Sequence, residues 1–312
     1  MIANPTETDV IHTPPARSGM DRARHAMTPY LLILPGFFFI AAFTIYPIFS
    51  MIVRSLMKQN LAQPTPIWTG LDNFRHILDD PISQKVFVNT LQYVAMVVPA
   101  SVALGIVFAI LVNNSTWMGT LVRTALFYPI VLPLVSVASV WLFIMTPEYG
   151  LIGKLADLVG VSDPALLRDP DTALWALAIV GIWRQSGFYA IFVLAGLQGI
   201  DRQVEDAARL DGASSFRLTW DIRLPLLWPT LVFVVTLAMI GALQTLDLVY
   251  VMTNGGPSNA TNVMLFHIYE TQFAFTNTGV ASALSVIFLV MIATVSAIQV
   301  FVVDRLREDN RA

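Results

Sequence analysis

The chain has 312 residues, 56% apolar and only 12% charged, with a net charge of −3 and a mean hydropathy of +0.67. Soluble domains carry close to a quarter charged residues, so the composition excludes an ordinary water-soluble globule, and the lack of a basic tract argues against nucleic acid. There is no cysteine, which removes disulfides, thiolate metal sites and cysteine nucleophiles together; His12, His25, His76 and His267 stand singly, as ordinary polar residues rather than metal ligands.

In chain order, residues 1–27, rich in Pro and Thr, read as a disordered tail. Six apolar stretches follow, at about 30–53, 87–112, 121–145, 173–198, 226–251 and 281–303. Each is longer than the ~18–20 residues needed to cross a ~30 Å hydrocarbon core as a helix. Helices are the non-barrel structure that satisfies every backbone group in lipid. The first stretch is too long for a cleaved signal peptide and lacks a small-residue cleavage site after it. Prolines at 35, 47, 99, 129 and 133 predict kinks. Segments Asn73–Leu78 and Gly150–Val159 read as short helices on the outer surface. The expected fold is all-α: one polytopic membrane domain over 28–306, a short tail at 307–312, and no internal repeat.

Basic residues set the expected orientation. Eleven fall in the two tails and near the loops after the second and fourth stretches, among them Arg123, Arg202, Arg209, Arg217 and Arg223. Six fall in the longer intervening loops, and none in 252–280. Both termini are therefore expected in the cytoplasm.

The loop at about 201–225 carries the most information. Asp201 is placed to cap a helix, with Glu205 and Asp206 in its early turns. Val204, Ala207, Ala208 and Asp211 fall at i, i+3, i+4 and i+7, one helical face. The two alanines leave a narrow surface that lets another protein approach closely. Gly212 supplies the permissive backbone that ends the turn. Phe216, Leu218 and Ile222 are expected to anchor the second half, and Pro225 to open the next membrane helix.

Ionisable residues inside spans are costly and are candidate functional groups. Arg184 lies mid-way along the fourth stretch beside Trp183, Gln185 and Tyr189; Asp247 lies toward the end of the fifth, with Gln244 and Tyr250 a turn to either side. They are candidates to line a solute pathway, or else to pair with neighbouring helices and hold a bundle together. Tyr93 and Trp141 read as interfacial aromatics. Asn254, in the loop Thr253–Thr261, reads as part of an outer vestibule or contact region. No Gly-x-x-x-x-Gly-Lys-[Ser/Thr] loop occurs, so ATP hydrolysis by this chain is not expected.

Asp206-Ala207-Ala208-Arg209-Leu210-Asp211-Gly212-Ala213, followed by Ile222-Arg223-Leu224-Pro225, resembles the EAA loop of permease subunits of ATP-binding-cassette importers, with Asp206 where that family usually carries Glu. Tyr30–Pro35 with Tyr46-Pro47, Gly70–Phe74, Ile182–Gln185 with Leu194–Gln198, and Asp247–Tyr250 with Thr253–Pro257 resemble the carbohydrate-uptake, maltose-type branch. The likeness spans about 28–306.

The resemblance implies a non-catalytic, multi-pass subunit of the bacterial cytoplasmic (inner) membrane that forms half of a path for a sugar or oligosaccharide. Implied partners are a second permease chain in a heterodimer, two ATP-binding subunits that hold ATP and Mg, a periplasmic or lipid-anchored solute-binding protein, and membrane lipid. No cofactor is expected on this chain. The ATPase-coupling residues are then Glu205, Asp206, Ala207, Ala208, Asp211, Gly212, Ala213 and Phe216. Glycerol 3-phosphate, a sulfonated sugar or another polyol derivative is the alternative cargo. A stand-alone secondary transporter would need coupling acids in mid-membrane. Only Asp247 approaches that description, and the 201–225 loop would then be unexplained.

Overall fold

The computed structural model describes residues 32–113, 117–158 and 165–309. The expected tail 1–27 therefore lies outside the described residues, as do Val159 and the last three residues. The first helix, α1 (Leu32–Ser55), is long and apolar enough to cross a membrane. Its turn Ala41–Ile45 is π-helical, just ahead of Pro47. A proline removes one rung of the ladder and crowds the carbonyl four residues back; widening the preceding turn accommodates both.

Beyond α1 the chain forms a hairpin of β1 (Met57–Asn60) and β2 (Gln63–Trp68), antiparallel with Met57 opposite Trp68. Then come α2 (Asp72–Asp79), α3 (Pro81–Val112), α4 (Trp117–Val131), α5 (Leu134–Ile144), α6 (Leu151–Leu158) and α7 (Ala173–Gln198). These are followed by α8 (Arg202–Leu210), α9 (Ser215–Leu226, with a π-helical turn at Leu218–Arg223), α10 (Trp228–Leu243), α11 (Asp247–Met252), α12 (Met264–Phe273) and α13 (Thr278–Asp309). The short helices expected near 73–78 and 150–159 are present as α2 and α6. The hairpin carried no clear sequence signal, since Pro64 and Pro66 interrupt β2 and are tolerated only because it is an edge strand.

Four helices, α1, α3, α7 and the α13 segment Thr278–Phe301, are long and apolar enough to span. Two of the expected spans are broken, the first of them at a proline where a kink was predicted. The 121–145 stretch bends by 101° between α4 and α5, where Pro133 is extended and starts α5. The 226–251 stretch is not one helix: α9 and α10 meet at 72°, α10 ends at Leu243, and Asp247 opens the separate α11. Pro225 accordingly lies inside α9 and does not begin the next helix. Hydropathy cannot distinguish a straight from a broken apolar run, because both bury the same side chains.

The core of 52–312 is built on α3 against α7, with α10 packed on both and α4 on α7. Close approach is made by small residues. Gly105 lies on Tyr189, Ala190 and Ser186, and a β-carbon there would sit 3.1–3.2 Å from their atoms. A β-carbon on Gly187 would collide with the Leu126 carbonyl oxygen of α4. Lipid offers no hydrophobic drive for helix pairing, so such van der Waals contact carries the association. Tyr93 is fully buried over Gly181, and Thr245 donates to its hydroxyl at 3.4 Å. Tyr93 is thus core, and the interfacial reading fails for it. Trp141 is half-buried and packs edge-on against Trp183 at 5.4 Å.

At one end of this core the segment 253–263 is fastened to α3 by side chains. The Asn89 amide donates to the Asn259 and Asn262 carbonyls at 2.8 and 3.0 Å, and Lys85 donates to the Ser258 carbonyl at 2.9 Å. The Met264 amide donates to Thr90 Oγ1 at 2.8 Å. Nearby, Asn73 donates to the Ser55 and Met57 carbonyls, both at 2.8 Å. Replacing buried Asn89 by Leu should remove both of its hydrogen bonds to the 253–263 segment and lower stability by about 1–3 kcal/mol, read as a lower unfolding temperature in detergent. Gly187→Ala should also lower that temperature, whereas Gly36→Ala, with open space around it, should change it little.

Candidate functional site

At the opposite end of α7, Gly199 and Ile200 lead into α8. The Asp201 carboxylate accepts from the Gln203 amide at 2.9 Å and caps the helix, as its position predicts. The exit is a Schellman motif. The Ala213 amide donates to the Ala208 carbonyl at 3.0 Å and the Gly212 amide to Arg209 at 3.1 Å, with Gly212 at φ +84°. Nothing lies within 4 Å of a β-carbon built on Gly212. The demand for glycine there comes from backbone conformation and not from packing.

The residues of this loop divide into two sets. Ala208 and Leu218 turn inward and are buried. Glu205 also turns inward: both of its oxygens accept from Arg223, at 2.7 Å from Nε and 2.7 Å from Nη2. That hydrogen bonding holds the Glu205 carboxyl below its ordinary range and raises Arg223. Asp206, Ala207, Asp211 and Gly212 are exposed and Ala213 is half-buried. Phe216 is 71% exposed and stacks beside exposed Trp220 at 5.9 Å, so it does not anchor the loop as expected; Leu218 does. Leu210 is 89% exposed. The predicted small-residue face is therefore split, with Ala207 outside and Ala208 inside. The Glu205–Arg223 pairing carried no sequence signal, because the partners lie 18 residues apart on two different helices.

The second set of candidates gathers where α7 meets the break after α10. Gln244 caps α10 and is exposed, as are Asp247 and Tyr250. Arg184 on α7 is half-buried, and its Nε is buried without a hydrogen-bond partner. Asp247 acts on it electrostatically, yet no carboxylate among the described residues lies within 4 Å. Gln185 reaches toward Gly241 of α10. Tyr189 is packed in the core, 1% exposed. Tyr250 meets Tyr269 edge-on at 5.5 Å, and Asn254 sits in the neighbouring loop at φ +48°. Backbone broken at membrane depth is tolerated where protein buries it or where it lines a water-filled cavity. The polar residues sit at such a break.

Gly212→Ala should cost about 1–2 kcal/mol of local order through its left-handed backbone alone. Hydrogen exchange in 203–217 should rise while α3 and α7 keep their protection. Glu205 is lowered relative to the unfolded chain, so its stabilising effect is present above the ordinary carboxylate value and lost only as pH falls through the lower folded one. Loop protection, corrected for intrinsic rates, should therefore be flat between about pH 8 and about pH 5.

The family model for the inner membrane component of binding-protein-dependent transport systems matches residues 101–308. The chain is 31% identical over 269 residues to a sulfoquinovosyl glycerol transport system permease protein of Agrobacterium fabrum, covering 86% of this chain and 87% of that one. It is 30% identical over 290 residues to a trehalose/maltose transport system permease protein of Thermococcus litoralis, covering 92% and 96%. A chain of a bacterial alginate ABC transporter, crystallised in complex with an alginate pentasaccharide-bound periplasmic protein, superposes with a TM-score of 0.78. It is 19% identical, over 91% of this chain and 96% of that one, which is a likeness of fold. With its apolar helices, its match over 101–308 and these relatives, the chain belongs to the inner-membrane components of binding-protein-dependent transport systems: it is a multi-pass permease subunit, not an enzyme.

Proposed function

We propose that this chain forms half of the translocation path of an ATP-driven importer for a sugar or oligosaccharide, and that the 201–225 loop receives its drive. In this reading α4–α5 and α10–α11 each count as one interrupted span, giving six across 28–306, in a bacterial cytoplasmic membrane. Both termini and α8 face the cytoplasm, and the hairpin, α6 and α12 face outside, in accord with the distribution of basic residues. The further partners are a second permease chain, two ATPase subunits holding ATP and Mg, and an external solute-binding protein.

The observation that carries the coupling role is the exposed end of the loop. Leu210, Phe216 and Trp220 lie largely exposed among charged residues outside the apolar spans. Exposed apolar side chains of this kind mark a protein contact, and Asp206, Ala207 and Gly212 are exposed in the same loop. Permeases named for sulfoquinovosyl glycerol and for trehalose and maltose support carbohydrate as cargo.

A second reading, an anionic sugar or polyol derivative, is favoured by the unpaired Nε of Arg184 beside the break at Gln244. Replacing Arg184 by Gln separates the two. Uptake of an anionic solute should fall by roughly tenfold or more, as expected for a charge-assisted hydrogen bond, whereas uptake of a neutral one should be little changed.

The coupling role is tested by Gly212→Asp in the reconstituted complex. ATPase subunits should still co-purify, while binding-protein-stimulated ATP hydrolysis and uptake are lost. Normal stimulation and uptake in that variant would sink the assignment.

A further inference from the structure

A surface ion pair is ordinarily worth little, because water solvates both partners and two flexible side chains must be held still. The Glu205–Arg223 pair is of another kind. Both bonds are 2.7 Å, they run in parallel from Nε and Nη2 to the two carboxylate oxygens, and the side chains are only 18% and 14% exposed. Parallel, bidentate geometry fixes orientation as well as distance.

Its position gives that rigidity a use. Of the nine residues of α8 only Ala208 is buried, and the packing partner of α8 is the π-helical turn Leu218–Arg223. Beside the pair, Ala208 is the one buried side chain that α8 brings to this packing. Arg223 is the last residue of the π turn, and the chain continues by hydrogen bonds from there. The Leu224 amide donates to the Thr219 carbonyl, Leu227 to Arg223 at 2.9 Å, and Leu231 to Leu227 at 2.8 Å, across the 72° bend into α10. The α10 helix packs on α3 and α7 and ends at the break that exposes Gln244 and Asp247.

We propose that the Glu205–Arg223 pair is the rigid link that carries displacement of α8 into α9 and α10, and so to the polar break at 244–247. The inference rests on the reading of α8 as the contact for an ATPase, and it separates two acidic neighbours. Glu205 is a positioning residue committed inside the loop, while Asp206 is the acid left exposed for a partner subunit.

The test uses the full complex in nanodiscs and exploits the absence of cysteine. Leu246→Cys at the break reports its exposure through the rate of maleimide labelling, with and without ATP and Mg. Into this reporter chain are placed Glu205→Gln, Arg223→Lys (which keeps the charge but loses the parallel geometry) and the exchange Glu205→Arg with Arg223→Glu. The single variants should retain their ATPase subunits and hydrolyse ATP, yet lose the nucleotide-dependent change in labelling by at least about fivefold. The exchanged pair should regain much of it, though not all, because an arginine near the start of α8 opposes the helix dipole.

Single variants that keep the full nucleotide response overturn the link and leave the ATPase contact standing. Single variants that shed their ATPase subunits also overturn it, because the pair would then only build the docking surface. A parent complex that binds no ATPase, or whose labelling ignores ATP, overturns the underlying reading and the link with it.

Discussion

The close contact of α3 with α7 is the constraint on which the other elements depend. Lipid tails are as apolar as leucine, so two membrane helices gain nothing by hiding apolar surface from them; they gain by fitting tightly. Gly105 against Tyr189 and Ala190, and Gly187 against the Leu126 carbonyl, bring the helices and α4 to backbone contact. With that spacing set, Tyr93 is enclosed above Gly181 and its hydroxyl meets Thr245, just past the end of α10. One tight seam thus fixes where the fifth apolar stretch is interrupted.

That interruption gathers the polar side chains of the core. A helix that stops inside an apolar run leaves carbonyl and amide groups in need of partners, and the cost is tolerated where protein or water supplies them. Gln244, Asp247 and the half-buried Arg184 stand around this gap. The bend of 101° between α4 and α5 is a second such device, set at Pro133, which has no amide to continue α4 and whose extended ψ starts α5 in a new direction.

The two ends of 52–312 are held in different ways. Around 253–264 uncharged side chains do most of the fastening, Asn89 and Thr90 joined by Lys85, and several carbonyls of one loop are gathered on α3. At the α8 end a single charge pair takes on that task beside a backbone-defined helix exit. The first arrangement resists movement at many points. The second concentrates the attachment of an exposed helix in two side chains, so that movement of the helix is passed on as a unit.

The class of the protein, its apolar stretches and the helix 202–210 with its Asp201 cap and Gly212 exit were all legible in the sequence. They follow from local causes: hydropathy over some twenty residues, a side chain that reaches its own backbone, and a φ that glycine adopts freely. What escaped it was non-local. The burial of Tyr93 and Tyr189, the inward turn of Glu205 toward Arg223, the exposure of Phe216, and the break at 244–246 each depend on which helix lies alongside. Apolar side chains look alike whether they meet lipid, a neighbouring helix or a core tyrosine. An ion pair across 18 residues has no period to betray it. Sequence alone determined that the chain lies in a membrane and presents a capped helix on a charged loop; tertiary packing decided which of that helix's residues hold the subunit together and which remain for a partner.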